Sequence, residues 1–139
     1  MSDVRLHGRI DRIDRNEKTG EIVVLDYKTG YPHPPENTHR KSQAQWVDFQ
    51  LPLYHYILRQ SGYAKPEEVI RQGYVTIPQN IEQVGEQLAD WSNEEVQAGI
   101  DEAARIVDEI RKLDWTQIRP NEPPRFMRQF DVICQCIRE

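Results

Sequence analysis

Residues 21 to 28, EIVVLDYK, constrain the fold more than any other stretch of the chain. Four consecutive aliphatics, Ile22, Val23, Val24 and Leu25, leave no polar face. A strand accepts that only where both faces of its sheet are covered, so the run reads as a central strand. The preceding residues 4 to 15, VRLHGRIDRIDR, alternate instead. Leu6, Gly8, Ile10 and Arg12 point one way, and Arg5, His7, Arg9, Asp11 and Ile13 the other. The five residues between them, NEKTG, have turn composition, so the two segments are expected to form a β-hairpin.

Downstream, residues 29 to 42 hold three prolines among polar residues and read as a loop. Trp46, Phe49, Leu53, Tyr56 and Ile57 keep three-and-four spacing, which predicts a helix over 43 to 60 closed by Gly62. Pro52 lies inside it and demands either a kink near Asp48 or a distinct first turn. Residues 69 to 77, VIRQGYVTI, form a third strand, while 79 to 91 are ambiguous and leave room for a short edge strand around 84 to 88. Ser92 and Glu95 make a capping box for a helix reaching about residue 113, with Val96, Ile100, Ala103, Val107 and Ile110 as its apolar stripe. A proline-rich tail, 114 to 139, follows.

At 139 residues, 37 % hydrophobic and 29 % charged, this is a single soluble domain by length and composition, short of the disordered regime. No apolar run approaches the roughly 20 residues of a membrane span, and the N-terminus lacks the apolar core of a signal peptide. Cys134 and Cys136 are too few for a disulfide framework, so a reducing, cytoplasmic setting is expected. The net charge of −5 disfavours a sequence-independent coat for nucleic acid. The charge is uneven, however. Residues 82 to 109 carry −8 and the remainder +3, which fits a solvated acidic helix beside a mildly basic surface. No helix precedes the first strand, so the chain reads as a piece of a longer protein.

The chemistry-bearing residues cluster on the hairpin. Its turn brings Asp11 near Asp26, at the end of the second strand. Two opposed carboxylates repel unless a cation lies between them. Mg²⁺ suits such a pair, because it takes one or two carboxylates and keeps waters and phosphate oxygens in the rest of its shell. Lys28 shares a strand face with Asp26, where an ammonium can act on a water or a phosphoryl oxygen. Asp and Lys at this spacing are also an ordinary surface pair at a strand end. Gln50 and Tyr54 share one helix face, able to donate to phosphate or to the carboxylates; equally, Tyr54 fits a core with Gln50 at its rim. His7, His33, His39 and His55 lack metal-ligand spacing and read as solvated or rim residues. Arg40 and Lys41 follow the loop after Lys28 and are candidate contacts to DNA phosphates. No glycine-rich phosphate loop is present.

Three segments in order, Gly8-Arg9-Ile10-Asp11-Arg12-Ile13-Asp14, Val24-Leu25-Asp26-Tyr27-Lys28-Thr29-Gly30 and Gln50-Leu51-Pro52-Leu53-Tyr54, resemble the RecB-type branch of the PD-(D/E)XK nucleases. The likeness extends to the C-terminal nuclease domain of AddB-type helicase-nuclease subunits. It implies an α/β, restriction-endonuclease-like core, a mixed sheet flanked by helices, with the family's first helix missing. It implies metal-assisted hydrolysis of DNA phosphodiesters in repair or recombination, as an exonuclease module. Asp11, Asp26 and the Tyr27 carbonyl would hold Mg²⁺, with Mn²⁺ as substitute, and Lys28 would orient the attacking water. Gln50 and Tyr54 would support the site. The implied partners are DNA and the rest of its own polypeptide or a helicase subunit, with no membrane.

The chain departs from this pattern in two places. The upstream helix and early strand are lacking, and with them a further metal ligand. In the tail, Arg125 and Arg128 stand where many relatives carry iron–sulfur cysteines, so no cluster is expected. The competing readings are a catalytically silent DNA-binding or scaffolding module of the same fold, and a metal-free interaction domain in which Asp11 and Asp26 lie far apart.

Overall fold

The computed structural model describes residues 5–30, 33–42 and 45–114. Its main sheet has four strands in the order β1-β2-β5-β6. These are Arg12–Arg15 (β1), Ile22–Thr29 (β2), Ile70–Ile77 (β5) and Gly85–Leu88 (β6). β1 runs antiparallel to β2, β2 parallel to β5, and β5 antiparallel to β6. The expected central strand is therefore central. Ile22, Val24 and Leu25 are fully buried, on both faces of the sheet.

Parallel pairing of β2 with β5 needs a long crossover. It contains a short helix, Pro35–His39 (α1), a two-stranded ribbon of Arg40–Ser42 (β3) and Gln45–Trp46 (β4), and the helix Gln50–Gln60 (α2). This corrects two expectations. Part of the segment 29 to 42 is regular rather than loop, and the helix begins at 50 rather than 43.

Pro52 is one reason for the later start. In a helix starting at 50 it occupies the first turn, where a missing N–H leaves no bond unmade. The Asp48 carboxylate takes the Gln50 N–H at 2.8 Å, and Phe49 O takes the Leu53 N–H at 2.9 Å. Trp46 is held in β4 by pairing with Arg40 and by packing on Gly99. A Cβ at Gly99 would lie 2.9 Å from the indole, so only glycine admits that approach. At the other end of α2, Gly62 turns the chain with φ 73°, as expected of a C-terminal glycine.

The last helix, Asn93–Lys112 (α3), starts on the predicted capping box. Glu95 N–H donates to Ser92 Oγ at 3.2 Å, and Ser92 N–H to the Glu95 carboxylate at 2.9 Å. Val96, Gly99, Ile100 and Ala103 are its buried residues, while Ile110 is exposed. By contacts the chain divides into Met1–Val107 and Asp108–Glu139. Of the second unit the described part is the end of α3 and the two residues after it. The tail's Arg125, Arg128, Phe126, Phe130, Ile133, Cys134 and Cys136 lie outside the described residues.

The core sits on the β2/β5 face covered by α2. Ile22, Val24, Ile70 and Tyr74 pack with Leu51, Tyr54, Leu58 and Ala64. β1 is shorter than the alternating pattern of residues 4 to 15 suggested. Its ladder ends at Arg12↔Leu25, because the next inward N–H, that of Tyr27, is taken by the Asp11 side chain at 3.1 Å.

Candidate active site

The face of β2 that begins as core ends as a charged cluster. Ile22, Val24, Asp26 and Lys28 lie on one side by the two-residue period, beside Ile70, Gln72, Tyr74 and Thr76 of β5. Asp26 is 5 % exposed, and a carboxylate so buried must be paired. Lys28 Nζ stands 2.7 Å from Asp26 Oδ2. Gln50 Nε2 donates to Asp26 Oδ1 at 2.9 Å, and Lys28 Nζ donates to Gln50 Oε1 at 3.3 Å. The three side chains close a ring across β2 and α2.

Gln50 is the first residue of α2, and one turn later Tyr54 shares its face. The second Gln50 amide hydrogen goes to Tyr54 Oη at 2.9 Å. Tyr54 in turn donates to Arg9 O at 3.0 Å, anchoring the strand entry on the helix. Burial pushes the Tyr54 phenol above its ordinary pKa, against the Gln50 hydrogen bond, which lowers it. The Asp26 and Asp11 carboxylates push it up further, while Lys28 pulls it down. Both acids and the amine thus act on one phenol. Asp11, just before β1, reaches the same strand end by accepting the N–H of Tyr27, the residue after Asp26, at 3.1 Å.

A second group backs this cluster. His39, expected to be a solvated or rim residue, is instead fully buried. Its Nδ1 lies 3.0 Å from Asp48 O and 3.3 Å from Asp48 Oδ1, and its Nε2 lies 2.6 Å from Tyr74 Oη. The His39 hydrogen bond is the main reason that Asp48 titrates below its ordinary value. Tyr74, fully buried, is pushed up to about 12, chiefly by burial. Its ring lies under the Lys28 ammonium, with Nζ 5.2 Å from the centroid. Motif spacing pointed to neither His39, Asp48 nor Tyr74. Tyr74 becomes visible only through the β2/β5 register, which sets it beside Asp26.

The two basic residues after α1 differ. Arg40 pairs with Glu95 at 2.7 Å and lies over the Trp46 ring at 5.3 Å, its side chain 9 % exposed. Lys41 is exposed. Among the other histidines, His7 and His33 are exposed. His55 is half-buried, and burial, with Arg59 nearby, lowers its pKa to about 4.

Among the described residues, no three or more His, Cys, Asp or Glu side chains come together in a way that could hold a metal ion. Two carboxylates and the Tyr27 carbonyl are the oxygen donors at the strand end. Asp26 Oδ1 accepts one hydrogen bond and Oδ2 is ion-paired with Lys28, which leaves lone-pair capacity on each for a cation. An all-oxygen set with two carboxylates fits a hard divalent ion such as Mg²⁺, which keeps most of its waters. No helix among the described residues is long and apolar enough to cross a membrane.

A family model described as the PD-(D/E)XK nuclease superfamily matches residues 1–136. No curated protein and no solved structure matches the chain.

Proposed function

The chain belongs to the PD-(D/E)XK nuclease superfamily, and from that membership we propose that it is the DNA-hydrolysing module of a RecB-type helicase-nuclease. Membership implies nuclease-type phosphodiester hydrolysis on an α/β, restriction-endonuclease-like fold, here a mixed four-stranded sheet flanked by helices. The closed ring of Asp26, Lys28 and Gln50 carries the reading to specific residues. A purely structural strand end has no need to bury a carboxylate between a part-exposed amine and a glutamine, because apolar side chains of similar size would serve stability as well.

In this reading residues 1–139 act as one nuclease-like domain, with 114–139 as its tail. Asp11, Asp26 and the Tyr27 carbonyl would hold Mg²⁺ or Mn²⁺. A divalent ion bound there supplies Lewis-acid polarisation of the phosphoryl group and acidifies a water. The protein's own part is positioning. Lys28 spends two N–H donors on Asp26 and Gln50, and its third can hold the attacking water or a phosphoryl oxygen. Gln50 keeps Asp26 and Lys28 in register, and Tyr54 fixes Gln50 from behind. Lys41 is exposed and could meet a backbone phosphate, whereas Arg40 is paired with Glu95.

The test uses the full chain on end-labelled DNA with Mg²⁺ or Mn²⁺. Cleavage by the native sequence, lost in Asp26→Ala and in Lys28→Ala, supports the reading. Equal cleavage by all three overturns the site assignment. DNA binding without cleavage in the native chain identifies the silent module instead.

A further inference from the structure

We propose that His39 is a positioning residue for the active site, clamping the start of α2 to β5 so that Gln50 and Lys28 meet at Asp26. This inference rests on the hydrolytic reading above for its consequence, though not for its geometry. His39 is the last residue of α1, and its ring is wholly buried. Its two nitrogens contact two different parts of the fold, the segment just before α2 and β5.

Asp48 O can only accept a hydrogen bond, so Nδ1 carries the proton and donates to it at 3.0 Å. Nε2 is then the acceptor, and the Tyr74 O–H donates to it at 2.6 Å. One tautomer satisfies both contacts. Trp91, edge-on at 5.5 Å, holds the ring in its plane.

Each arm of the bridge ends on the cluster. On one side, Asp48 Oδ1 takes the N–H of Gln50 at 2.8 Å, which sets where α2 begins. Gln50 then bonds Asp26 and Lys28 through its side chain. On the other side, Tyr74 lies beside Asp26 in the β2/β5 register, and its ring underlies the Lys28 ammonium. His39 therefore sets the relative placement of the amide and the amine without touching either. Groups that orient a reacting set in this way are known to cost activity when removed, even where the fold survives.

The experiment compares the full-length chain with four variants. His39→Leu removes both arms at similar volume. His39→Asn keeps an N–H near the Nδ1 position, His39→Gln keeps an acceptor near the Nε2 position, and Tyr74→Phe removes one arm but leaves the ring under Lys28. Two readouts are taken: kcat and KM on end-labelled DNA with Mn²⁺, and hydrogen exchange of the Gln50 side-chain amide by NMR. The Leu variant is expected to lose about ten- to a hundredfold in kcat with KM within about twofold, and the Asn variant and Tyr74→Phe, each keeping only the Asp48 arm, to show a smaller loss of similar size to each other. The Gln50 amide should exchange roughly tenfold faster in the Leu variant and at rates between those of the Leu variant and the native chain in the Asn variant and in Tyr74→Phe.

Native kcat and native Gln50 exchange in a folded Leu variant would overturn the proposal. So would equal losses in the Leu and Asn variants. Should the Leu variant fail to fold, Tyr74→Phe and His39→Gln decide, since each removes one arm: slowed turnover with faster Gln50 exchange in both supports the clamp, and native behaviour in either sinks it. If the native chain cleaves no DNA, the hydrolytic reading fails by itself. Gln50 exchange then still tests the clamp, supporting it if changed in the Leu or Phe variant and overturning it if unchanged.

Discussion

Two halves of one sheet face follow different rules. Where β2 and β5 enter the sheet, Ile22, Val24 and Ile70 meet Leu51, Leu58 and Ala64 of the helical side. Contacts there are many, weak and interchangeable. Four residues on, the same face carries Asp26, Lys28 and Tyr74 under Gln50 and Tyr54, where contacts are few, directional and mutually dependent. Both halves are covered by the same helix. A helix packed on a sheet thus covers an apolar core at one end and a hydrogen-bonded polar cluster at the other, and under the proposed function the two should separate under mutation.

The strongest contrast is expected in the polar half. Asp26→Asn should lower cleavage by about three orders of magnitude while shifting stability by about 2 kcal/mol or less, since the isosteric amide keeps a partner for Gln50 or Lys28. Cleavage kinetics and chemical denaturation on the same preparation check this. A parallel collapse of stability would show that the cluster is structural.

Next in size is the apolar half. Leu51, fully buried, lies beside Gln50 in sequence but faces the core. Leu51→Ala should cost about 3 kcal/mol of stability by denaturant titration and leave the rate per folded molecule unchanged. A drop in that rate would mean that the halves are coupled through α2.

Smaller again, Tyr54→Phe sits at the border. It removes one hydrogen bond to Gln50 and one to Arg9 O, for an expected cost of about 1–2 kcal/mol and a modest loss of rate. Rate and stability should change together here, unlike in either half alone.

The smallest effect concerns pH. Asp48 titrates below its ordinary value of 3.8 in the folded chain, mainly through His39. A depressed carboxylate contributes stability in full above its unfolded value and loses it as pH falls through the folded one. Asp48→Asn should therefore lower stability by a nearly constant amount above pH 3.8 and flatten the acid limb below it. Thermal melts across that range would show an unchanged limb if the His39 contact contributes nothing.

Much of the chain was legible because its signals are local. A four-aliphatic run predicts a central strand, the Ser92–Glu95 pair predicts the helix start it makes, and Gly62 marks the helix end it forms. The start of α2 was misread because the apolar spacing of Trp46 and Phe49 continues the helical period. Pairing of Trp46 with Arg40 and the space that Gly99 leaves for the indole override that spacing, and both partners are distant in sequence. His39 was misread for a similar reason. Its neighbours in sequence are polar, and nothing local indicates that Tyr74 and Asp48 close over it.

The sequence by itself determined which residue types stand at the strand end and the helix start: two acids, an amine, an amide and a phenol, spaced so that each pair shares a face. Periodicity suffices for that, because a strand repeats every two residues and a helix every 3.6. Only the tertiary structure decided that Gln50 would close a ring with Asp26 and Lys28, that Arg40 would be committed to Glu95, and that a buried histidine would join α2 to β5. Those outcomes depend on which distant groups a burial event brings within hydrogen-bond reach, and such reach is set by packing across elements rather than by spacing along one of them.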